Sequence, residues 1–228
     1  MKNKNQLFYL MQMAGGTFPS GGFSQSWGLE TYVTQGMVKD DKTFIEFTTT
    51  YLESTITRCE GPLMREAYEL AKADDENGMK ELEELSAAVK VTKESRESSL
   101  RMGKAFLRIM AEVLDDKLLI QLKKLSGTEG ITYPVVYGAV CGRLGLDAAE
   151  AMKAFVFSTV NALVQSAVKL IPLGNMQAQQ VLMELYPVME ASVAESMKVP
   201  LSEISNFCPG LDIASIEHEF LTTRLYMS

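Results

Sequence analysis

The segment that decides the fold is AAEAMKAFVFSTVNALVQSAVKLI, residues 148–171. Apolar residues lie on nearly every face of a helix drawn through it, and a stretch of fifteen residues, 154–168, carries no charge. A helix that is apolar all round is buried by its own protein or by a membrane. Fifteen residues fall short of the roughly 20 that a membrane span needs. We therefore predict that this segment is the central core helix of a globular protein.

Helical signals continue on both sides of this segment. Asp147, with Glu150 three residues later, is typical of a capping box, and Pro172 ends the helix. Before this segment, helices are predicted over 7–13, from Ser24 to near Gly36, and from Asp40 or Asp41 through Ile56; the chain breaks and restarts as a helix at Gly61-Pro62, and further helices follow over 79–91, 93–114, 117–125 and from Pro134 to Gly145. After it, a helix is predicted over 175–198 with a kink or break at Pro187. The last helix is predicted over 213–226, after an Asp212 cap. No segment alternates with period two. The predicted fold class is all-α, one helical bundle of about ten helices over residues 1–228 with no sheet.

Composition narrows the functional class. The chain has 228 residues with a formal net charge of -7, and it lacks the clustered Lys and Arg of a phosphate-binding surface. This argues against a nucleic-acid partner. Three widely spaced cysteines, Cys59, Cys141 and Cys208, fit a reducing compartment better than a disulfide framework. The first apolar stretch is too short for a signal peptide, so we expect a cytoplasmic protein with no membrane partner.

A second informative stretch is GGTFPSGGFSQSWGLE, residues 15–30. A glycine-rich loop ahead of a helix suggests phosphate binding, and the spacing from Gly16 to Gly21 matches half of a P-loop. The remaining positions do not match, because Gly22 and Phe23 stand where a P-loop requires Lys and Ser or Thr. The stretch is therefore a structural loop leading into a helix, or a stiff loop against which a partner fits.

The chemical inventory offers no catalytic set. The only histidine, His218, lies between two glutamates and has no nucleophile motif near it. One histidine and three scattered cysteines do not supply a closed metal site. We assign no catalytic, cofactor-binding or metal-binding residue and interpret His218 as salt-bridged or interfacial. The alternative for His218 is a ligand in a metal site shared between two chains.

Four blocks in order carry a resemblance to a known family. They are GTFPSGGFSQSWGLE at 16–30, YPVVYG at 133–138, AVKLIPLG at 167–174, and DIASIEHE at 212–219 followed by RLY at 224–226. Together they resemble UreF, the urease accessory protein F family, over nearly the full length. The sequence departs from the family pattern where Thr132, Asn175, Ala178 and Met227 replace the usual histidine, glutamine, glycine and basic residue.

The resemblance implies an all-α, dimeric, non-enzymatic chaperone. In that role it binds UreD (also called UreH), recruits the GTPase UreG and supports nickel delivery to apo-urease. The predicted UreG-binding residues are Pro19, Gly21, Gly22, Phe23, Ser24, Lys169, Pro172, Leu173 and Gly174. The predicted UreD-binding residues are Asp212, Ile216, His218, Glu219, Phe220, Arg224 and Leu225, with Ile213 as a further anchor. The segment of about 200–228 is predicted to order on binding UreD.

Other interpretations stay open at this point. Lys169 either offers its charge to an acidic partner or snorkels from the end of a buried helix. The chain could regulate the GTPase activity of UreG, for which an arginine finger from Arg143 or Arg58 would be the physical device. A generic dimeric adaptor unrelated to urease and a helical enzyme of unknown type are the remaining alternatives.

Overall fold

The computed structural model describes residues 4–227, and throughout this range the regular elements are helical. The α-helices are α1 Gln6–Ala14, α2 Leu29–Thr34, α3 Asp41–Tyr51, α4 Gly61–Lys72, α5 Glu76–Val89, α6 Lys93–Leu114, α7 Lys117–Leu125, α8 Tyr133–Arg143, α9 Ala148–Leu170, α10 Asn175–Glu184, α11 Tyr186–Ser196 and α12 Pro209–His218. A π-helix, Leu52–Glu60, joins α3 to α4, and short 3₁₀ turns occupy Gly22–Ser24 and Leu201–Glu203. The all-α prediction is confirmed. The predicted bounds of 1–228 include residues 1–3 and 228, which lie outside the described range.

Helix α9 occupies the centre, as predicted. It packs against α1, α2, α4, α8, α10 and α11. The Asp147 carboxylate caps its first turn by accepting hydrogen bonds from the amides of Ala149 and Glu150 at 3.1 and 3.2 Å. By length and composition α9 could cross a membrane, but side chains such as Phe155 and Leu163 are fully buried in the protein. The apolar character of this helix is therefore used in core packing.

Small residues let α8 approach α4 closely. A Cβ added to Gly138 would lie 2.1 Å from the Met64 carbonyl oxygen, and one added to Gly142 would lie 2.5 Å from that of Tyr68. Helix α8 is buried along nearly its whole length. The glycines at these positions therefore set the separation of the two helices.

The first glycine-rich loop is fixed to the core by Phe18. Its ring lies 4.8 Å from that of Phe106, which in turn lies 5.4 Å from Tyr137 and 5.7 Å from Tyr133, measured between centroids. Aromatic pairs at such separations add to the stabilisation from burial. One buried ring therefore holds a loop whose other residues are largely exposed or half-buried.

The predicted break at Gly61-Pro62 is wrong. The helical backbone runs through, and Gly61 has φ -63° and ψ -51°. Proline removes one donor and crowds the carbonyl four residues before it. Here the Gly61 amide donates to the Ile56 carbonyl, five residues back, and the Arg58 carbonyl accepts from the Ser205 amide at 2.9 Å. The π-helix thus absorbs the proline, and a distant segment satisfies the freed carbonyl.

Several helix boundaries also differ from the prediction, and α5 spans Glu76–Val89 where 79–91 was predicted. Ser24 caps no helix, because Trp27 and Gly28 adopt positive φ of 50° and 85° and α2 begins only at Leu29. The last helix begins at Pro209, which suits a first turn, and ends at His218 instead of near residue 226. The break predicted near Pro187 is confirmed, since α10 ends at Glu184 and α11 starts at Tyr186.

Candidate partner-binding surfaces

The glycine-rich loop and α9 form the two walls of a cleft, which we call the loop cleft. From the loop it is lined by Gly15, Gly16, Ser20, Gly22 and Phe23, and from α9 by Ser158, Asn161, Gln165 and Lys169 among others. Within residues 4–227 its lining contains no aspartate or glutamate, although the chain has net charge -7. Lys169 supplies the charge of the lining. The cleft is therefore suited to an acidic group.

The outer rim of this cleft is exposed and stiff. Phe23 is 68% exposed, which is unusual for a phenylalanine in a short turn. Gly21 has φ 86°, a left-handed conformation that favours glycine, and the Ser24 hydroxyl donates to the Gly21 carbonyl at 2.7 Å. A rim ordered in this way loses little conformational entropy when a partner binds.

The predicted UreG-binding residues are only partly brought together. Lys169 lies beside the loop as predicted, with Nζ 5.8 Å from the centre of the Tyr226 ring. Pro172 and Gly174 are exposed but do not line the loop cleft. Leu173 is buried in the core and so does not face a partner.

His218 lies at the centre of a buried charged cluster. Its Nδ1 is 2.7 Å from Glu94 Oε2 and its Nε2 is 3.0 Å from Glu30 Oε2. Arg224 donates to the other oxygen of Glu94 at 3.0 Å. Because His218 has 0% exposure, it does not reach a partner as predicted, and its ring nitrogens contact carboxylates within the chain.

The same cluster holds the C-terminal segment 219–227 in place. The two oxygens of Glu30 accept hydrogen bonds from the amides of Leu225 and Tyr226 at 2.7 and 3.1 Å. The Met227 amide donates to the Ser24 carbonyl at 2.9 Å, beside the glycine-rich loop. Sequence reasoning missed Glu30 and Glu94. Glu30 did fall within a family-like block, but no spacing rule relates it to His218.

A second accessible surface, the α12 face, is apolar. It consists of Ile213 and Ile216 on α12 and of Phe220 and Leu225 in the segment that follows, all of which are at least half exposed. They are among the residues predicted to contact UreD. The helix itself is held to the core by the buried Ala214 and His218, and Thr31 Oγ1 donates to the Ala214 carbonyl at 2.9 Å. Exposed apolar side chains grouped in this way mark an interaction surface.

Two other predicted α12 residues lie at the margins of this face. Glu219 is 3.7 Å from Lys93 Nζ. Asp212 lines a separate, half-buried cavity beside Cys208, and burial raises the pKa of its carboxyl. Neither residue belongs to the His218 cluster.

The candidate arginine fingers differ in availability. Arg143 donates to Asp74 at 3.0 Å, to Asp116 at 2.8 Å and to the Ala71 carbonyl at 3.1 Å. Because these contacts occupy the Arg143 guanidinium within the chain, it is not free to reach a partner. Arg58 is exposed.

Over residues 4–227, no three His, Cys, Asp or Glu side chains are arranged to hold a metal ion. The cysteines are free thiols. Burial raises the pKa of Cys59 to about 11, and burial also raises that of Cys141 strongly.

Comparison with known proteins completes this description. A model of the UreF family matches residues 38–186. The chain belongs to the UreF family. A urease accessory protein UreF from Sporosarcina pasteurii is 34% identical over 88% of this chain and 100% of its own length. Proteins of the same name from Bacillus sp. strain TB-90 and Geobacillus kaustophilus are each 32% identical over 98% of this chain, and over 100% and 98% of their own lengths.

Membership of the UreF family gives this chain an accessory role in urease maturation. The match to the family model leaves out both the glycine-rich loop and the C-terminal segment. The full-length relatives nevertheless align across 98% of the chain. The similarity to these relatives therefore extends beyond residues 38–186.

Proposed function

We propose that this UreF-family chain is a non-enzymatic, cytoplasmic adaptor that joins UreD/UreH to the GTPase UreG and so supports nickel delivery to apo-urease. It acts as a homodimer. The single observation that carries the proposal is the pair of accessible surfaces, the loop cleft and the α12 face, on one rigid helical body. Adaptors work through such preformed surfaces, because little conformational entropy is lost on binding.

The loop cleft is the proposed site for UreG. Its lining offers the Lys169 ammonium with no competing carboxylate, so an acidic group of the partner would complete the charge. Lys169→Glu should abolish capture of UreG while leaving capture of UreD intact. Lys124→Glu is the matched control, because Lys124 is exposed on α7 and does not line the cleft.

The α12 face is the proposed site for UreD/UreH. Truncation before Asp212 would test this poorly, since it also removes the buried His218 and Tyr226. Ile216→Ser and Phe220→Ser remove only exposed apolar surface and should weaken co-purification with UreD. Met183→Ser changes an equally exposed residue on α10 and should not.

The decisive experiment is complementation of a strain that lacks the gene for this chain. Restored urease activity, with the Lys169 and α12-face variants failing at their respective partners, supports the proposal. Normal urease maturation in the strain without the chain would refute it. GTP turnover by UreG with and without the chain separates the adaptor from a regulator of the GTPase.

A further inference from the structure

We propose that His218 is held as the imidazolium ion and acts as a proton-dependent clasp that positions the C-terminal segment 219–227. The expectation that a chain with this clasp captures UreD at neutral pH rests on the function proposed above. The clasp itself concerns only the isolated chain.

The hydrogen-bond inventory of the cluster is satisfied when both glutamates are ionised and the ring carries two donors. Both ring nitrogens lie within 3.0 Å of a carboxylate oxygen, Glu94 Oε2 on one side and Glu30 Oε2 on the other. A neutral imidazole has one donor and one acceptor, whereas the imidazolium has two donors. In the neutral form a lone pair would therefore face a carboxylate, which is costly in a site with no exposure to water.

The charges around the ring balance only when it is protonated. Helix α2 contributes Glu30, α6 contributes Glu94, and the C-terminal segment contributes Arg224. With the imidazolium, two negative and two positive groups meet in the cluster. At its edge Lys93 pairs with Glu219, and Glu217 accepts a hydrogen bond from Gln35.

Loss of the proton would release the C-terminal segment. Glu30 faces His218 and at the same time accepts the amides of Leu225 and Tyr226. Without the imidazolium, Arg224 still pairs with Glu94, whereas Glu30 is bound by the two amides with no cation and faces a ring lone pair when the neutral ring donates to Glu94. If Glu30 moves, the segment loses the acceptor for both amides.

The single histidine makes the test direct. In the full chain without a histidine tag, ¹⁵N NMR of the imidazole has one residue to report, and amide exchange reports the protection of Leu225 and Tyr226. As the pH is raised from neutral, we expect the imidazolium signal of His218 and the protection of the two amides to be lost together. The loss, corrected for intrinsic exchange, should be at least about tenfold, because these bonds go to a charged acceptor.

Glu94→Gln provides a matched variant. The amide oxygen it introduces can still accept from Arg224, while its NH₂ group can donate to Nδ1 of a neutral ring whose Nε2–H donates to Glu30. The variant therefore removes the need for the second proton, and the amides of Leu225 and Tyr226 should stay protected at alkaline pH. Circular dichroism checks that the variant is folded.

Three results would overturn the clasp. These are a neutral ring at about pH 7, amide protection that does not follow the ring titration in the unmodified chain, or the same pH profile in a folded Glu94→Gln variant. The first two results are measured on the unmodified chain, so they would overturn the clasp even if the Glu94→Gln variant does not fold. A chain that shows the clasp but fails to capture UreD at neutral pH would refute the proposed function and leave the clasp standing.

Discussion

Replacing Glu83 should change how stability depends on pH. Both oxygens of this carboxylate accept the Thr132 amide at 3.0 Å, and Oε2 also accepts the Thr132 hydroxyl at 2.7 Å. Thr132 is the N-cap residue of α8, so Glu83 on α5 takes the place of a capping-box carboxylate, which binds the amide of the N-cap residue. Burial raises its pKa from 4.5 to about 7, against the opposing effect of the Thr132 hydrogen bonds.

The linkage between proton binding and folding gives the direction in which stability changes with pH. The pKa of Glu83 is higher in the folded chain than in the unfolded chain, so the native state binds the proton more tightly. The stabilisation that Glu83 contributes is therefore fully present below about pH 4.5 and is lost as the pH rises through about pH 7. The shift corresponds to about 3 kcal/mol of unfolding free energy in total, of which about 2 kcal/mol is lost between about pH 5.5 and about pH 8. This pH window lies above the sequence pI of 4.9. Precipitation near the pI would interfere with the measurement, and the window avoids it.

The assay is urea unfolding of the unmodified chain and of Glu83→Gln at both ends of this window. The amide can accept from the Thr132 N–H and donate to its hydroxyl, which can in turn donate to Ser86 at 2.7 Å. Because the other titrating groups are shared, the difference between the two proteins isolates Glu83. The variant should gain about 2 kcal/mol relative to the unmodified chain on going from the acid to the alkaline end. A difference that stays constant with pH would refute the reasoning.

Further predictions concern packing and reactivity. Gly138→Ala forces a Cβ against a backbone carbonyl and should destabilise the chain by about 3 kcal/mol or more in urea unfolding, whereas Gly16→Ala, with open space around it, should not. Phe18→Ala should cost about 3 to 5 kcal/mol by the same measurement, and the exposed Phe23→Ala less than about 0.5 kcal/mol. With its pKa near 11 and its side chain buried, Cys59 should react with iodoacetamide at about pH 8 only after urea unfolds the chain, as peptide mapping would show.

The elements that the sequence predicted well are those whose ends are set locally. Lys93–Leu114 and Lys117–Leu125 match the predicted bounds, and Asp116 between them accepts the Leu119 amide as an N-cap. Of the two caps predicted for α3, Asp40 or Asp41, the structure uses Asp40, and Thr43 completes a capping box three residues later. Signals of this kind need only the neighbouring residues, so the sequence alone contains them.

The π-helix required information from far along the chain. Proline at 62 is a stop signal by every local rule. It is tolerated because Ser205 donates to the Arg58 carbonyl, a contact between residues 147 positions apart that no periodicity encodes. Tertiary contact has overridden local propensity here, and it makes one continuous helical path from Asp41 to Lys72.

The sequence did not predict the buried His218 cluster either, because its members are distant in the chain. Glu30, Glu94 and His218 come from three helices, and each looked like an ordinary surface residue in its own segment. A buried carboxylate is tolerated only when hydrogen-bond partners reach it, and His218 contacts both Glu30 and Glu94. The cluster therefore forms only after α2, α6 and α12 have docked. Burial of His218 is a consequence of the assembled fold, and sequence reasoning could name this residue as salt-bridged but could not find its partners.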